Sequence, residues 1–254
     1  MAPYDILGTI ALVKFKRGTK AAEKKKYAAR FLKEHSGVLT VLEKTAKISG
    51  RLRTPSSRWI AGQKTKEALY KENSCVFRLN VDTCYFSPRL SSERAELAAL
   101  VKRGEHVLVM FGGAAPFAVV IAKARKAARV VSVELGREPA RYAAVNVKRN
   151  HVDVELYQGD VRRIVPKLKG LFDRIVMARP NLKDSFLGVA LGKIGRGGTI
   201  HYYGFYHEDD LKQLHALIGD EAKKARKNVS IKGIKKAGDI GTRTYRYRAD
   251  IRVG

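Results

Sequence analysis

His106-Val-Leu-Val-Met-Phe-Gly-Gly-Ala-Ala-Pro-Phe117 decides the fold: an apolar run, a turn of small residues, then a second apolar run from Phe117 to Ala124 with helical character. This is the pattern of a nucleotide-binding strand, turn and helix, in which small residues let the backbone approach a ligand closely. Just upstream lies Tyr85-Phe-Ser-Pro-Arg-Leu-Ser-Ser-Glu-Arg94. Arg89 and Glu93 stand four residues apart there, a spacing that puts both on one face of a helix. Taken alone, such a pair reads as a surface ion pair; set beside a ligand-binding turn, it also offers a base and a cation.

Outward from this segment the chain has two textures. Downstream, apolar strand patterns near residues 106–111, 129–134, 153–157, 172–177, 198–204 and 243–252 alternate with helical stretches. That alternation predicts a Rossmann-like α/β sheet over residues 96–254. The last of these segments, Arg243-Thr-Tyr-Arg-Tyr-Arg-Ala-Asp-Ile-Arg252, alternates apolar and polar residues and is expected as an antiparallel or edge strand. Upstream, residues 4–15, 38–48, 58–62 and 75–86 read as strands and residues 18–35 as a basic helix, together a small α+β domain over residues 1–95. Lys20, Lys24, Lys25, Lys26, Arg30 and Lys33 of that helix form either a solvated face or a phosphate-facing one.

Composition narrows the partners. Hydrophobic residues make up 45% of 254 positions, enough for a packed core. With 51 Lys and Arg against 24 Asp and Glu the formal charge is +27, which points to a polyanion, nucleic acid first. Cys75 and Cys84 show neither a CxxC spacing nor zinc-ligand neighbours, so neither a disulfide framework nor a metal site is expected. The amino terminus has no signal pattern and no long apolar run could span a bilayer, so a cytoplasmic protein without membrane attachment is expected, as a monomer.

Further segments join the opening pair: Gly50-Arg-Leu-Arg-Thr-Pro55, Trp59-Ile-Ala-Gly-Gln-Lys64 and Lys71-Glu-Asn-Ser-Cys75 before it, and Val131-Ser-Val-Glu-Leu135, Gly159-Asp-Val-Arg162, Phe172-Asp-Arg-Ile-Val-Met177 and Gly198-Thr-Ile-His-Tyr-Tyr203 after it. In this order they resemble the archaeal and eukaryotic tRNA (guanine-37-N1)-methyltransferase family over almost the whole chain. The resemblance implies a class I methyltransferase sheet preceded by a small α+β domain, S-adenosyl-L-methionine as cofactor and the tRNA anticodon loop as partner. It also implies that this chain lacks the family's small N-terminal domain.

By the same resemblance, Phe111, Gly113, Ala114, Pro116, Glu134, Leu135, Asp160, Val161 and Pro180 form the cofactor pocket, with Glu134 on the ribose hydroxyls. Glu93 is the general base for guanine N1, Arg53 the cation at O6, and Arg89, Arg94, Tyr85 and Asn181 the substrate contacts. Tyr85 could instead be a core residue of the strand ending at residue 86, and Glu134 a surface carboxylate at a strand end. The chain departs from the family pattern in having Val109 for an Asp, Gly113-Ala-Ala115 for Gly-x-Gly, Ala178 for an Asn that Asn181 would replace, Tyr70 for a His and Ser74 for a Gly. Two other readings stay open: a wybutosine aminocarboxypropyl transferase, which breaks a different bond of the same cofactor, and an inactive RNA-binding module.

Overall fold

A computed structural model of the protein describes residues 2–49, 54–178 and 184–254. Its organising element is β7 (His106–Met110), whose uninterrupted apolar run is explained by burial on both faces. Val107 and Val109 point into one hydrophobic cluster, Leu108 and Met110 into another on the opposite side of the sheet. Val109 is thus a core residue.

β7 is followed by α3 (Pro116–Lys123), β8 (Arg129–Glu134), α4 (Arg137–Arg149) and β9 (Glu155–Gln158), then α5 (Val161–Ile164), β10 (Phe172–Met177), α6 (Leu187–Leu191), β11 (Ile194–His207) and α7 (Leu211–Lys224). The chain closes with β12 (Val229–Gly241) and β13 (Thr244–Val253). The seven strands are ordered β12-β13-β11-β10-β7-β8-β9. From β7 the chain winds outward to β8 and β9, then returns to the other side of β7 for β10 and β11, so strand order reverses between β7 and β10. In such a sheet the crevice at the carboxyl ends of these strands is where ligands bind.

β13 is antiparallel to β11, as its alternating sequence predicts, but it is not an edge. β12 pairs along its other side with three register shifts, and the polar face of β13 is turned inward. Alternation here marks two differently lined interiors, one apolar and one charged.

The amino-terminal segment expected as a strand over residues 4–15 is a hairpin, β1 (Tyr4–Leu7) and β2 (Ile10–Val13). Gly8 makes the break: its φ is +56°, and an added Cβ would lie 1.7 Å from the Leu69 carbonyl oxygen. α1 (Ala21–Glu34), β3 (Thr40–Ser49) and β4 (Thr54–Gly62) complete this sheet, in the order β1-β2-β3-β4. Lys24 of α1 is drawn back to Glu43 at 2.5 Å, whereas Lys20 at its N-cap and Lys25, Lys26 and Lys33 along it remain exposed.

β5 (Glu67–Glu72) and β6 (Cys75–Asn80) form a separate hairpin. β6 ends at Asn80, so Tyr85 lies beyond it, in the segment leading to α2 (Ser91–Leu100). Asn73 and Ser74 turn this hairpin with φ of +46° and +56°, values that suit the glycine the family pattern has at position 74. α4 clamps the free edge of β6. Asn146 accepts from the Arg78 N–H at 2.7 Å and donates to its carbonyl, and Asn150 does the same for Val76, so two side-chain amides take the place of a neighbouring strand. Asn146 also donates to the Ala114 carbonyl at 3.0 Å, tying the hairpin to the turn after β7.

Candidate active site

At the switch point, a solvent-open cleft with about 720 Å³ of empty space lies between the segment before α2 and the carboxyl ends of β7 and β8. Tyr85, Ser87, Leu90 and Arg94 line one side; Phe111, Gly113, Pro116 and Glu134 line the other. The turn after β7 is held in a costly conformation, with φ of +61° at Phe111, +58° at Gly113 and +62° at Ala115. The two non-glycine positions cost on the order of 1 kcal/mol each, strain of the kind that collects at ligand sites. Gly112 is crowded for a different reason: a Cβ there would meet Ser132 Oγ at 2.1 Å, so the Ser132 hydroxyl would have to turn away.

Glu134 locks this turn. One carboxylate oxygen accepts from the Gly113 N–H at 2.8 Å and the other from the Gly136 N–H at 2.7 Å. Each oxygen keeps a second lone pair for a hydroxyl from the cleft. A carboxylate at the end of β8, a strained turn with an open side at Gly113 and an apolar floor of Phe111 and Pro116 fit a nucleoside with a vicinal diol, as in S-adenosylmethionine. Glu134→Ala is accordingly expected to weaken S-adenosylmethionine binding by about 1–3 kcal/mol while the chain stays folded. Calorimetry on the variant checks this, and unchanged affinity would remove Glu134 from the site.

Of the other expected cofactor residues, Ala114 is fully buried behind the turn. Leu135 uses its carbonyl to accept from Gln158, and Asp160 caps α5 by accepting from the Arg162 N–H, with Val161 in the core behind it. None of these four lines the cleft, although Asp160 and Val161 stand at the carboxyl end of β9. Arg53, Pro180 and Asn181 lie outside the described residues.

The Pro-Arg-Leu-x-x-Glu-Arg segment departs from its local reading. Pro88–Leu90 is a 3-10 turn rather than part of α2. Arg89 is therefore displaced from the helix face and reaches Asp5 at 3.1 Å, so its pair with Glu93 is not formed. Arg94 is buried in a two-pronged pair with Glu72, one prong at 2.5 Å, and it also donates to the Ser87 carbonyl at 3.1 Å, bracing the cleft wall.

Glu93, only 5% exposed, stands one layer behind that wall. Its Oε1 accepts from Tyr203 hydroxyl and Arg248 Nη1, both at 2.6 Å, while Oε2 has Lys235 Nζ at 3.6 Å. Burial, then the adjacent Glu93 charge, push the Tyr203 hydroxyl well above its ordinary pKa, so it stays protonated and donates. Arg248 also meets Glu96 at 2.8 Å and Asp250 at 2.8 Å. Burial works against its charge, but the hydrogen bond to Glu96 and the charges of Glu93 and Asp250 outweigh it and raise its pKa.

The network continues through His201, whose Nδ1 is 2.6 Å from Asp250 and whose Nε2 is 2.6 Å from Arg174. A guanidinium only donates, so Nε2 accepts, and the proton sits on Nδ1, directed at Asp250. Burial lowers the His201 pKa and keeps the ring neutral. Tyr203 and His201 come from β11, Arg248 and Asp250 from β13 and Arg174 from β10, and none of them was among the expected site residues. The Arg-x-Arg-x-Asp alternation of Arg246, Arg248 and Asp250 was the available signal, read only as that of an antiparallel or edge strand.

Comparison with known proteins agrees with this geometry. The pattern of the TRM5/TYW2 methyltransferase domain matches residues 68–231. The tRNA (guanine(37)-N(1))/4-demethylwyosine(37)-methyltransferase Taw22 of Nanoarchaeum equitans is 32% identical, covering 98% of this chain and 98% of that protein. The tRNA (guanine(37)-N(1))-methyltransferase Trm5b of Pyrococcus abyssi is 34% identical over 98% of this chain and 74% of its own length. The crystal structure of Trm5b from Pyrococcus abyssi superposes with a TM-score of 0.87, at 33% identity, over 99% of this chain and 75% of that one. A strained cofactor turn, a carboxylate at the end of the second strand of the sheet and a fold shared along its whole length lead to one conclusion: the chain belongs to the TRM5/TYW2 methyltransferase family.

Proposed function

We propose that this protein transfers the methyl group of S-adenosyl-L-methionine to N1 of guanine 37 in tRNA. The observation that carries the reading is that relatives named for this activity align with 98% of the chain, while Glu134 and Arg94 of the two diagnostic segments meet across one cleft. The charge of +27 suits a polyanionic substrate and opposes self-association, which supports a monomer. Among the described residues no helix is long and apolar enough to cross a membrane, and the cysteines are unpaired; both fit a cytoplasmic enzyme. Residues 1–95 would present the target base and residues 96–254 the cofactor.

S-adenosylmethionine supplies a methyl group on a sulfonium, so that the N1–C bond forms as the S–C bond breaks. Guanine N1 carries a proton that must leave, and negative charge then grows toward O6. Glu93 is the proposed base: Tyr203 and Arg248 fix Oε1 and leave Oε2 free of any hydrogen bond among the described residues. Arg53 is proposed to meet the charge at O6. Glu134, Phe111, Gly113 and Pro116 are proposed to hold the cofactor, with Ala114 behind the turn, Leu135, Asp160 and Val161 after the carboxyl ends of β8 and β9, and Pro180 as further cofactor residues. Tyr85, in the cleft wall, is proposed to stack on a base leaving the anticodon loop, with Arg89, Arg94 and Asn181 as the other substrate contacts.

Mass spectrometry of nucleosides from tRNA incubated with protein and S-adenosylmethionine tests the proposal. The expected product is 1-methylguanosine. An aminocarboxypropyl adduct would assign the chain to the wybutosine branch, and no adduct would make it an RNA-binding module.

A further inference from the structure

Arg246 and Arg248 lie two residues apart on β13 and so share a face of the sheet. Both are buried, at 5% and 3% exposure. Arg248 meets the carboxylates of Glu93, Glu96 and Asp250. Arg246 forms no ion pair among the described residues. Its Nη2 donates to Tyr85 hydroxyl at 3.2 Å, its guanidinium lies 5.4 Å from the Phe205 ring centroid, and its buried Nε finds no acceptor among the described residues.

A buried cation without a carboxylate is costly, and an unsatisfied buried donor adds to that cost. Its location gives it a purpose. Arg246 is paired with Phe205 of β11, two residues beyond Tyr203 toward the carboxyl end of that strand, the end at which the cleft opens. Its hydrogen-bonded partner among the described residues, Tyr85, lines the cleft on the side opposite Glu134. Neither of its contacts belongs to the cofactor turn.

We propose that Arg246 is a substrate-binding residue whose guanidinium receives an oxygen of the target nucleotide, on its phosphate or at guanine O6. The inference rests on tRNA guanine being the substrate. It explains why one arginine of this face is neutralised by three carboxylates and its neighbour by none: a protein carboxylate at Arg246 would compete with the incoming oxygen. A guanidinium held in a dry wall, with its position already fixed by Tyr85 and Phe205, meets developing negative charge without reorganising.

Arg246→Met keeps the bulk and removes the charge. Because that charge is unpaired in the free protein, the thermal midpoint of the variant is expected to equal or exceed that of the parent. S-adenosylmethionine affinity should stay within about twofold, since the expected loss falls on the nucleotide side alone. If the oxygen is O6, single-turnover methyl transfer falls by about tenfold to a hundredfold at unchanged tRNA affinity. If it is a phosphate, tRNA affinity falls and the slope of log affinity against log salt flattens by about 0.7 to 0.9. A folded variant with parental rate and parental tRNA affinity overturns the proposal, as does a loss confined to cofactor affinity or one that only follows a lowered thermal midpoint. A parent protein that methylates no tRNA would instead overturn the proposed activity and with it the contact at O6, and the tRNA-affinity comparison would then decide the phosphate contact: parental affinity in the variant overturns it.

Discussion

Glu93→Gln is expected to slow single-turnover methyl transfer by about 10² to 10⁴, the range for removing a general base, while S-adenosylmethionine affinity stays near that of the parent. The substitution keeps the size of the side chain and an oxygen able to accept from Tyr203, and Arg248 retains Glu96 and Asp250 as counter-charges. The variant therefore tests proton acceptance rather than folding. Arg53→Ala should also slow the chemistry, and the two losses should combine less than additively if both residues act on one transition state. Parental rates in Glu93→Gln from pH 6 to 9 would dismiss the base, because no general base is dispensable over so wide a range.

The largest effect on stability is expected at Arg248. Arg248→Met leaves Glu93 buried against Glu96 and Asp250 with the cation between them gone, and breaking a buried pair from one side costs about 3–5 kcal/mol. Denaturant unfolding at neutral pH measures it. The deficit should narrow on acidification. Burial opposes the charge of Asp250, but the His201 N–H and the Arg248 guanidinium outweigh it and hold its pKa below the usual value of 3.8. A depressed carboxylate contributes stability above its unfolded pKa and loses it as pH falls through the folded one, so acid removes from the parent what the variant already lacks. A loss below about 1 kcal/mol, the scale of an exposed ion pair, would mean that the network is not closed to water. Set beside the neutral or positive effect expected at Arg246, this gives two arginines of one strand opposite consequences for stability.

Much of the sheet was legible because β7, β8 and β10 carry apolar runs that burial on both faces requires, and the small-residue turn after β7 has few other uses. β12 was not legible: its glycines and lysines obscure any period, and pairing along β13 alone makes it a strand. β5 escaped notice for a related reason, since the hairpin it forms with β6 is secured by Asn146 and Asn150 of a helix some seventy residues later.

At the site, Glu134 could be selected through the resemblance together with its position at a strand end. Glu93 could be selected through its motif, but its surroundings could not. The spacing from Arg89 suggested a surface pair, whereas the groups that bury and bind it lie 110 and 155 residues away in sequence. Local spacing carries no information about contacts made across a sheet at that separation. The same separation hid Arg246, whose significance lies in a missing carboxylate that only the folded neighbourhood reveals.

The central claim, methyl transfer to guanine 37, is tested most directly with S-adenosylmethionine labelled in its methyl group and two tRNA transcripts that differ only in carrying guanine or adenine at position 37. The expected result is label in the guanine transcript alone, recovered after digestion as 1-methylguanosine. Equal label in both transcripts, or none in either, would contradict it.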